Sequence, residues 1–397
     1  MTTDVAVVGA GPSGAWAACT LARHGAKVVL IDPSHPREKP CGGGVTSRAL
    51  GLVGSVFQDE GVRAARIRSV RFVDSAAGEC ARVSLEGSAP DGPTPLVVAS
   101  RREFDDALVE AARAAGAELL ALRATEITVS ETGRGGFEIR TSAGIRRAAR
   151  IVGADGATSL IRRRLALPFR RDQLSIATGY FAHGVTSDEI VIELLADPPG
   201  YIWSFPRPSH LAIGVCAPAD AGVTAGALRA RVLDWALMTA LAPGARLEAY
   251  SWPIPSLSAQ DFDRLTPSGP GWCLVGDAAG LVDPITREGI YFALLSAGWA
   301  ADAIVSGAAD WSQEYATRVR DEIASELARA ARYQARFFRP EFTRLLMHGL
   351  RRSDRVRRVM ADLVAGRQDY AHLKRRLLRT REVGLALKLV RSCLLSG

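Results

Sequence analysis

The stretch that decides the fold is residues 4–14, which read DVAVVGAGPSG. Residues 5–8 are a short apolar run, as expected of a strand that is buried on both faces. Three glycines follow at once in the G-x-G-x-x-G spacing. Gly9 allows a tight turn, Gly11 lets a pyrophosphate approach the backbone, and Gly14 lets a helix pack on the strand. A glycine-rich turn alone is weak evidence, so the residues that follow decide its meaning.

The next residues supply the other parts of a βαβ unit. Residues 16–23 have a helical pattern that ends at Gly25, and residues 27–31 lead into Asp32 as a second apolar run. A carboxylate at this distance from the glycines can accept hydrogen bonds from ribose hydroxyls. The helix N-terminus presents free N–H groups and partial positive charge to a phosphate. Residues 1–32 therefore predict a dinucleotide-binding unit.

The composition narrows the class of protein. The 397 residues, 48% hydrophobic and 23% charged, suit a globular enzyme of two or three modules. No apolar run reaches the length of about 18 residues that a membrane span needs, and the first strand begins too early for a signal peptide. The six cysteines are scattered without C-x-x-C spacing, which favours reduced thiols in a cytoplasmic protein and no metal site. We expect no nucleic-acid partner.

Positive charge is concentrated towards the C-terminus. From Arg318 onward the chain has 20 Lys and Arg against 8 Asp and Glu, whereas the whole chain carries a net charge of +8. The stretch from Lys374 to Arg379, continued by Leu385 and Leu389, mixes cations with leucines at helical spacing. One interpretation is a basic surface for an anionic membrane or a pyrophosphate-bearing substrate. The other is that the leucines pack on the protein while the arginines face water.

Two further glycine turns carry acids. Asp155 follows residues 149–153, which have the pattern of a buried strand, and Asp277 lies in the later sequence GDAAG. Arg101 begins a helical stretch that runs to about Ala115. Three acids after parallel-type strands, together with Arg101, exceed what a mononucleotide needs and suit a larger dinucleotide with a ribityl chain.

The remaining patterns indicate a sheet and a helical end. Residues 67–74 alternate polar and apolar side chains, as an antiparallel strand does, and residues 176–215 and 246–254 also have the pattern of strands. From Trp311 to the end the periodicity is helical. This order indicates a nucleotide-binding domain assembled from separated pieces, with an antiparallel-sheet domain inserted and helices closing the chain.

Four motifs in this order resemble those of the FAD-dependent oxidoreductases of the para-hydroxybenzoate hydroxylase type. They are G-x-G-x-x-G at 9–14, R-x-x-F-D at 101–105, G-A-D-G-x-x-S at 153–159 and G-D-A at 276–278. The resemblance implies an α/β fold with a Rossmann-like FAD-binding domain, an inserted antiparallel-sheet substrate domain and a helical C-terminal region. The implied ranges are 1–66, 96–165 and 266–315 for the first, 67–95 and 166–265 for the second, and 316–397 for the third.

Within that group the chain is most similar to the geranylgeranyl reductase family. The similarity rests on residues 40–44 (PCGGG), 201–206 (YIWSFP) and 283–290 (DPITREGI). One position departs from the family pattern, because Arg287 stands where the family has glycine. The resemblance puts this turn beside the flavin ring, where a long cation would change substrate fit or stabilise reduced, anionic flavin.

The resemblance assigns roles in binding FAD. Asp32 would bind the adenosine ribose, Arg101 would neutralise phosphate charge, and Asp277 would bind the ribityl chain. Asp155 would brace the second turn, either at the cofactor or in a purely structural role. The other implied cofactor-binding residues are Gly9, Gly11, Pro12, Ser13 and Gly14 at the pyrophosphate, Gly276 beside Asp277, and Gly289 and Ile290 at the pyrimidine end of the ring. No second Rossmann unit follows, so NADPH or another donor would reduce FAD transiently.

Three residues are candidates for a direct part in catalysis. Tyr201 and Trp203 alternate with Phe205, so the three rings face one side of a strand. They form either an aromatic wall for a long apolar substrate or ordinary core packing. Cys41 lies in the glycine loop, where it either adjusts substrate geometry or proton delivery, or is simply a small buried residue.

The implied reaction is hydride transfer from reduced flavin to a carbon–carbon double bond of an isoprenoid or polyprenyl substrate. The same fold allows an alternative, a monooxygenase or halogenase that acts on an aromatic compound. Halogenases of this group carry a W-x-W-x-I-P segment, which differs from the YIWSFP found here. A third hypothesis is a non-catalytic flavoprotein or membrane-associated scaffold that uses the basic C-terminus.

Overall fold

The structure is a computed structural model that describes residues 3–85, 96–130 and 136–379. Its strands are β1 (Thr3–Val8), β2 (Val28–Ile31), β3 (Gly44–Thr46), β4 (Ala64–Arg66), β5 (Ser69–Asp74), β6 (Glu79–Ser84), β7 (Leu96–Ala99), β8 (Glu118–Leu120), β9 (Ala124–Val129), β10 (Phe137–Thr141), β11 (Gly144–Gly153), β12 (Leu174–His183), β13 (Glu189–Ala196), β14 (Pro199–Pro206), β15 (His210–Pro218), β16 (Arg246–Pro255), β17 (Ser268–Gly269) and β18 (Trp272–Leu274). Its α-helices are α1 (Pro12–Arg23), α2 (Ser47–Asp59), α3 (Arg101–Ala114), α4 (Leu160–Leu165), α5 (Ala225–Met238), α6 (Ala259–Asp263), α7 (Gly276–Ala279), α8 (Ile290–Val305), α9 (Trp311–Arg318), α10 (Ser325–Phe337), α11 (Pro340–Arg352), α12 (Asp354–Val364) and α13 (Tyr370–Leu378).

The first sheet aligns the three acid-bearing turns. Its strand order is β17–β18–β11–β1–β2–β8, with the hairpin β9–β10 beside β11. The strands β18, β11, β1, β2 and β8 are parallel. Because the carboxyl ends of parallel strands meet at one edge of a sheet, Asp32 after β2, Asp155 after β11 and Asp277 after β18 lie along the same edge as the glycine turn after β1.

The helix α1 begins earlier than its sequence pattern predicts. It starts at Pro12 rather than at Trp16, because proline has a backbone conformation suited to the first helical turn and needs no N–H partner there. It ends before His24 and Gly25, and Gly25 has a φ of 83°. The helix packs between α3 and α8.

The second sheet has seven strands in the order β16–β12–β15–β14–β13–β5–β6. The strand predicted at residues 67–74 is β5; it pairs antiparallel with β6 but parallel with β13. The sheet is therefore antiparallel apart from this one pair. The parallel pair arises because the chain returns to the first sheet between β6 and β13, instead of turning back directly. A short third sheet, β3–β7–β4, is antiparallel throughout.

The C-terminal helices cover one end of the second sheet. Phe72 of β5 belongs to the same buried apolar cluster as Phe337 of α10 and Met360 of α12. Leu373 of α13 is buried in this cluster and Leu377 packs against it, whereas Leu378, which the packing interpretation also includes, is 37% exposed. Leu385 and Leu389 belong to the same basic, leucine-containing stretch, for which the sequence allowed either packing on the protein or contact with a membrane. Both lie outside the described residues. None of the described helices is both long and apolar enough to cross a membrane.

Candidate active site

A cavity of about 680 Å³ is lined by both large sheets and by the C-terminal helices. Most of the residues predicted from the sequence line it. They are Gly9, Gly11, Pro12, Ser13, Asp32, Cys41, Arg101, Asp155, Tyr201, Trp203, Asp277, Gly289 and Ile290. Gly14 and Gly276 do not line the cavity; they lie next to it, where Gly14 packs against Gly9 and Gly276 packs against Ser13. The structure thus brings the candidate residues into one site.

The glycine turn leaves no room for a side chain at Gly9 or Gly14. Gly9 has a φ of 100°, and a Cβ atom there would lie 2.4 Å from the carbonyl oxygen of Ala154. A Cβ atom on Gly14 would lie 1.8 Å from the carbonyl oxygen of Gly9. The turns after β1 and β11 and the start of α1 are therefore in backbone contact, which brings the helix N-terminus to the cavity.

Asp32 is fixed by donors from its own loop and from the glycine turn. Its Oδ2 accepts a hydrogen bond from Ala10 N at 3.0 Å, and its Oδ1 accepts from Ser34 N at 2.8 Å and from His35 N at 3.0 Å. Burial raises the pKa of Asp32, but the His35 ring and the backbone donors outweigh burial and hold the pKa well below its usual range. The carboxylate is therefore charged and pre-oriented at the cavity.

His35 is a site residue that the sequence reasoning missed. Its side chain is 6% exposed; Nδ1 lies 2.9 Å from Asp32 Oδ2, and Nε2 lies 3.4 Å from Asp105 Oδ2. Burial lowers the pKa of His35, but the two carboxylates have the larger combined effect and raise it. One histidine three residues after Asp32 matches no sequence motif, so the sequence alone does not indicate this contact.

Arg101 reaches the cavity as half of a buried ion pair. Its Nε and Nη2 donate to Asp105 at 2.9 and 2.8 Å. Burial lowers the pKa of Arg101, but Asp105 and then the Cys41 thiol outweigh burial and raise it. The cation predicted to neutralise phosphate is therefore balanced by the acid of its own R-x-x-F-D motif, and its role at a phosphate stays a prediction.

The two carboxylate oxygens of Asp155 differ in their hydrogen bonding. Its Oδ2 accepts hydrogen bonds from Leu160 N at 2.6 Å and Ile161 N at 3.4 Å, at the start of α4. Its Oδ1 is buried and has no partner among the described residues. Burial raises the pKa of Asp155. The first oxygen supports the structural interpretation, and the second leaves an acceptor for a ligand hydroxyl.

The loop that carries Cys41 is held from several sides. Gly43 N donates to Cys41 Sγ at 3.3 Å, and Arg207 Nη2 donates to the Cys41 carbonyl oxygen at 2.6 Å. A Cβ atom on Gly42 would lie 3.0 Å from the Phe205 ring. The consecutive glycines thus let the loop lie directly on the aromatic strand β14. Each of the cysteines among the described residues has a free thiol, and no group there could hold a metal ion.

The Trp203 ring of the aromatic wall lies directly on a glycine of the neighbouring strand. The rings of Tyr201 and Trp203 have centroids 5.5 Å apart, and both line the cavity with Phe205. Gly179 and Gly214 face each other on β12 and β15. A Cβ atom on Gly214 would lie 2.7 Å from the Trp203 ring. The sequence pattern of alternating aromatics could not show that Gly214 makes room for the Trp203 ring.

The polar atoms of the wall are differently engaged. Tyr201 donates its hydroxyl hydrogen to the carbonyl oxygen of Thr286 at 3.0 Å, and burial raises its pKa far above the usual range. Trp203 Nε1 is buried and has no partner among the described residues. Both rings therefore present mainly apolar surface to the cavity.

Asp277 is joined to the glycine loop by an ion pair. Its Oδ2 lies 2.9 Å from Lys39 Nζ, and both side chains are 18% exposed. A Cβ atom on Gly289 would lie 3.3 Å from Asp277 Oδ1. The carboxylate therefore lies between the loop and the N-terminus of α8. Lys39 was not among the predicted site residues, although it adjoins the PCGGG motif.

We expect Asp277→Ala to weaken FAD binding by about 1–3 kcal/mol, because a buried ligand loses a hydrogen-bond partner. Flavin absorbance that remains after dialysis measures the loss. Asp263→Ala is the control, since Asp263 is 59% exposed and lies 3.6 Å from Arg332. Equal flavin retention by the parent and the Asp277 variant would contradict the assignment.

The parallel sheet, the glycine turn at a helix N-terminus and the cavity against a second sheet define a dinucleotide-dependent oxidoreductase of the flavoprotein class. The model of the FAD binding domain family matches residues 2–310, and the chain belongs to that family. The predicted cofactor, FAD, and the predicted enzyme class are thereby confirmed. Two features fit this cofactor: the glycine turn packs tightly enough to bring the N-terminus of α1 to the cavity, and Oδ1 of Asp155 has no partner among the described residues. The donor that reduces it stays a prediction.

The relatives include reductases of two kinds. The menaquinone reductase of Mycolicibacterium smegmatis is 30% identical over 362 residues, which cover 85% of this chain and 85% of that protein. The geranylgeranyl diphosphate reductase of Rhodobacter capsulatus is 29% identical over 320 residues, which cover 77% of this chain and 76% of that protein. The resemblance to geranylgeranyl reductases is confirmed.

Solved structures share the fold over nearly the whole chain. A geranylgeranyl bacteriochlorophyll reductase-like protein of Thermoplasma acidophilum has a TM-score of 0.78 at 23% identity and covers 96% of this chain and 99% of its own. A flavin-dependent brominase has a TM-score of 0.69 at 19% identity, with coverage of 96% and 99%. These likenesses confirm the predicted fold class, and they do not separate reductases from halogenases.

Proposed function

We propose that the protein reduces carbon–carbon double bonds of an isoprenoid substrate. The observation that carries the proposal is the apolar half of the cavity, which continues directly from the dinucleotide site. Its lining residues are Phe72, Ile192, Leu194, Tyr201, Trp203 and Phe205 of the second sheet, with Phe337, Met360, Leu363 and Val364 of the C-terminal helices. An apolar surface of this size, built from aromatic and aliphatic side chains, suits a prenyl chain. The names of the relatives, a menaquinone reductase and a geranylgeranyl diphosphate reductase, support the same substrate class.

The protein side chains would bind, orient and protect the substrate. When bound, FAD supplies the hydride. Tyr201 and Trp203 hold the chain against the sheet and exclude water from the reacting bond. Cys41, held by Gly43 N–H and by Arg207, presents its thiol at the cavity as a candidate proton source for the carbon that does not receive the hydride.

The test is anaerobic turnover of the reduced holoenzyme. After reduction by dithionite, adding geranylgeranyl diphosphate should reoxidise the flavin and give a product heavier by two hydrogen atoms. With menaquinone, fragmentation in the mass spectrometer must locate the two added hydrogen atoms in the prenyl chain, because reduction of the quinone ring to the quinol adds the same mass. NADPH in place of dithionite tests the donor. If reoxidation requires oxygen and yields a hydroxylated or halogenated aromatic compound, the protein is instead a monooxygenase or halogenase.

We also propose that the basic C-terminal region makes peripheral contact with anionic membranes, where isoprenoid substrates reside. The exposed residues Lys374, Arg375 and Arg379 support contact, whereas the packing of Leu373 and Leu377 leaves fewer apolar side chains for the lipid. Each cation near an anionic surface contributes about 1 kcal/mol. Sedimentation with anionic vesicles, weakened by salt and by truncation after Tyr370, is the expected result. Equal binding to neutral vesicles, or none to either, would contradict it.

A further inference from the structure

A histidine with a buried side chain lies beside the glycine turn and has a carboxylate at each end of its ring. The His35 side chain is 6% exposed; Nδ1 lies 2.9 Å from Asp32 Oδ2, and Nε2 lies 3.4 Å from Asp105 Oδ2. A Cβ atom on Gly11 would lie 3.8 Å from His35 Nε2, and His35 lines the cavity. The ring therefore adjoins the turn that would bind the pyrophosphate of FAD.

The two carboxylates determine the protonation state of the ring. A carboxylate oxygen only accepts hydrogen bonds, and a neutral imidazole has a single N–H donor. A neutral His35 would therefore turn a lone pair towards either Asp32 or Asp105, whereas the imidazolium presents an N–H to both. Burial lowers the pKa of His35, but the two carboxylates together outweigh burial and raise it. The geometry thus favours the imidazolium.

The protonation of His35 also sets the net charge of a small cluster. The charged side chains that face the ring are Asp32 of its own loop and Asp105 of α3. Asp105 also forms an ion pair with Arg101, which in turn interacts with the Cys41 thiol. With an imidazolium, two positive charges balance the two carboxylates. With a neutral ring, one negative charge beside the glycine turn is left without a counterion.

The other charged side chains of the loop after β2 have partners elsewhere. The Arg37 guanidinium lies over the Trp252 ring, 4.7 Å from its centroid. Glu38 pairs with Arg207, and Lys39 pairs with the acid of the turn after β18. Within the cluster, the histidine is therefore the group whose charge changes near neutral pH.

We propose that His35 is a positioning residue for FAD, which the protein holds firmly when the ring is an imidazolium and releases more readily when the ring is neutral. The imidazolium orients Asp32 and cancels the excess negative charge beside the glycine turn. Without it, the uncompensated carboxylate would repel the anionic pyrophosphate. The proposal depends on the cofactor of the family and not on which substrate is reduced.

The direction of the pH dependence follows from the raised pKa of His35. Such a group keeps its proton below that pKa and loses it as the pH rises through it. FAD should therefore be held most firmly on the acid side of this pKa and less firmly above it. Burial raises the pKa of Asp32, but its donors outweigh burial and hold it well below the usual range, so Asp32 titrates only in strongly acid solution.

The test measures the release of flavin from the holoenzyme as a function of pH. Diluted holoenzyme is equilibrated at several values between about pH 6 and about pH 9, the range in which a perturbed histidine titrates. Free flavin that passes an ultrafiltration membrane is then measured by its absorbance. If the complex binds the proton more tightly than the flavin-free protein by one pKa unit, the dissociation constant of the parent rises about tenfold across the range.

Two variants and a matched control separate charge from structure. His35→Gln keeps a hydrogen-bond donor but no charge, so flavin release should stay at the parent's alkaline level at every pH. His35→Lys supplies a cation that stays charged throughout this range and should retain FAD at alkaline pH. His372→Gln is the control: Nδ1 of His372 lies 2.9 Å from Asp369 Oδ1, three residues away, but the side chain is 68% exposed. This variant should keep the parent's pH profile.

Three outcomes would overturn the proposal. One is a parent whose flavin release does not change with pH. Another is a rise of the same size in His35→Gln, since the titrating group would then lie elsewhere in the protein or in the cofactor. The third is a lower midpoint of urea unfolding for His35→Gln with the parent's pH profile of release, which would make the histidine purely structural. Each measurement is made without substrate, so failure of the proposed reduction would leave these results standing.

Discussion

Gly14→Ala should purify without FAD and should be less stable than the parent by about 3 kcal/mol, the upper part of the range for overpacking. The added Cβ atom would lie 1.8 Å from Gly9 O and 3.0 Å from the Ala154 Cβ atom. The oxygen belongs to the backbone, so relief requires α1 to move away from β1. That movement removes the helix N-terminus from the cavity, and the pyrophosphate loses its donors. Flavin absorbance per protein and the midpoint of urea unfolding measure the two effects.

The control is a glycine whose side-chain position is empty. Gly51 lies within α2, and a Cβ atom there would meet nothing within 4 Å. Gly51→Ala should therefore keep FAD and gain about 0.5–1 kcal/mol, because alanine favours a helix over glycine. If the Gly14 variant retains FAD in the parent's ratio, the close packing of the turn is not what the cofactor requires.

The parts of the fold that could be predicted are those in which sequence spacing and backbone geometry are coupled. Gly9 and Gly14 are constrained by adjacent backbone, so their spacing alone indicates the turn. Asp155 and Asp277 follow strands that are neighbours in the sheet, and parallel order makes their proximity follow from the motifs. The domain boundaries, and the roles of Cys41 and Tyr201, stay predictions.

The parts that could not be predicted depend on contacts between distant segments. Lys39 meets Asp277 across 238 positions of sequence, and Arg207 meets Glu38 across 169. No local pattern specifies such pairs, because each side chain is compatible with solvent until the tertiary fold buries it. His35 is a third case, since its burial depends on Asp105 of α3.

The ion pair between Glu38 and Arg207 joins the two large sheets. Arg207, directly after β14, is fully buried, and Glu38 lies in the loop after β2 with its side chain 26% exposed. Glu38 also accepts hydrogen bonds from Ser100 Oγ at 2.5 Å and Arg101 N at 3.0 Å. His210 is close to Arg207, and burial, with that cation, lowers the pKa of His210 to about 4. The histidine is therefore neutral near pH 7, and the carboxylate of Glu38 balances the buried charge.

Glu38→Gln should reduce the free energy of unfolding by about 3 kcal/mol, because it leaves the Arg207 cation buried without a counterion. Arg207→Met should cost less, since Glu38 keeps its two other donors and some solvent. The double variant should then be more stable than Glu38→Gln alone, which is the sign of direct coupling. Glu110→Gln is the matched control, because the pair of Glu110 with Arg113 is exposed and contributes about 0–1 kcal/mol.

The same pair should also affect substrate binding, because Arg207 holds the Cys41 carbonyl oxygen. In Arg207→Met the loop loses this donor while the FAD contacts of the first sheet remain. We therefore expect a higher KM for the prenyl substrate with FAD content unchanged, and Arg207→Lys should restore part of the loss. Additive effects of Glu38→Gln and Arg207→Met on the urea midpoint would show that the two side chains act independently.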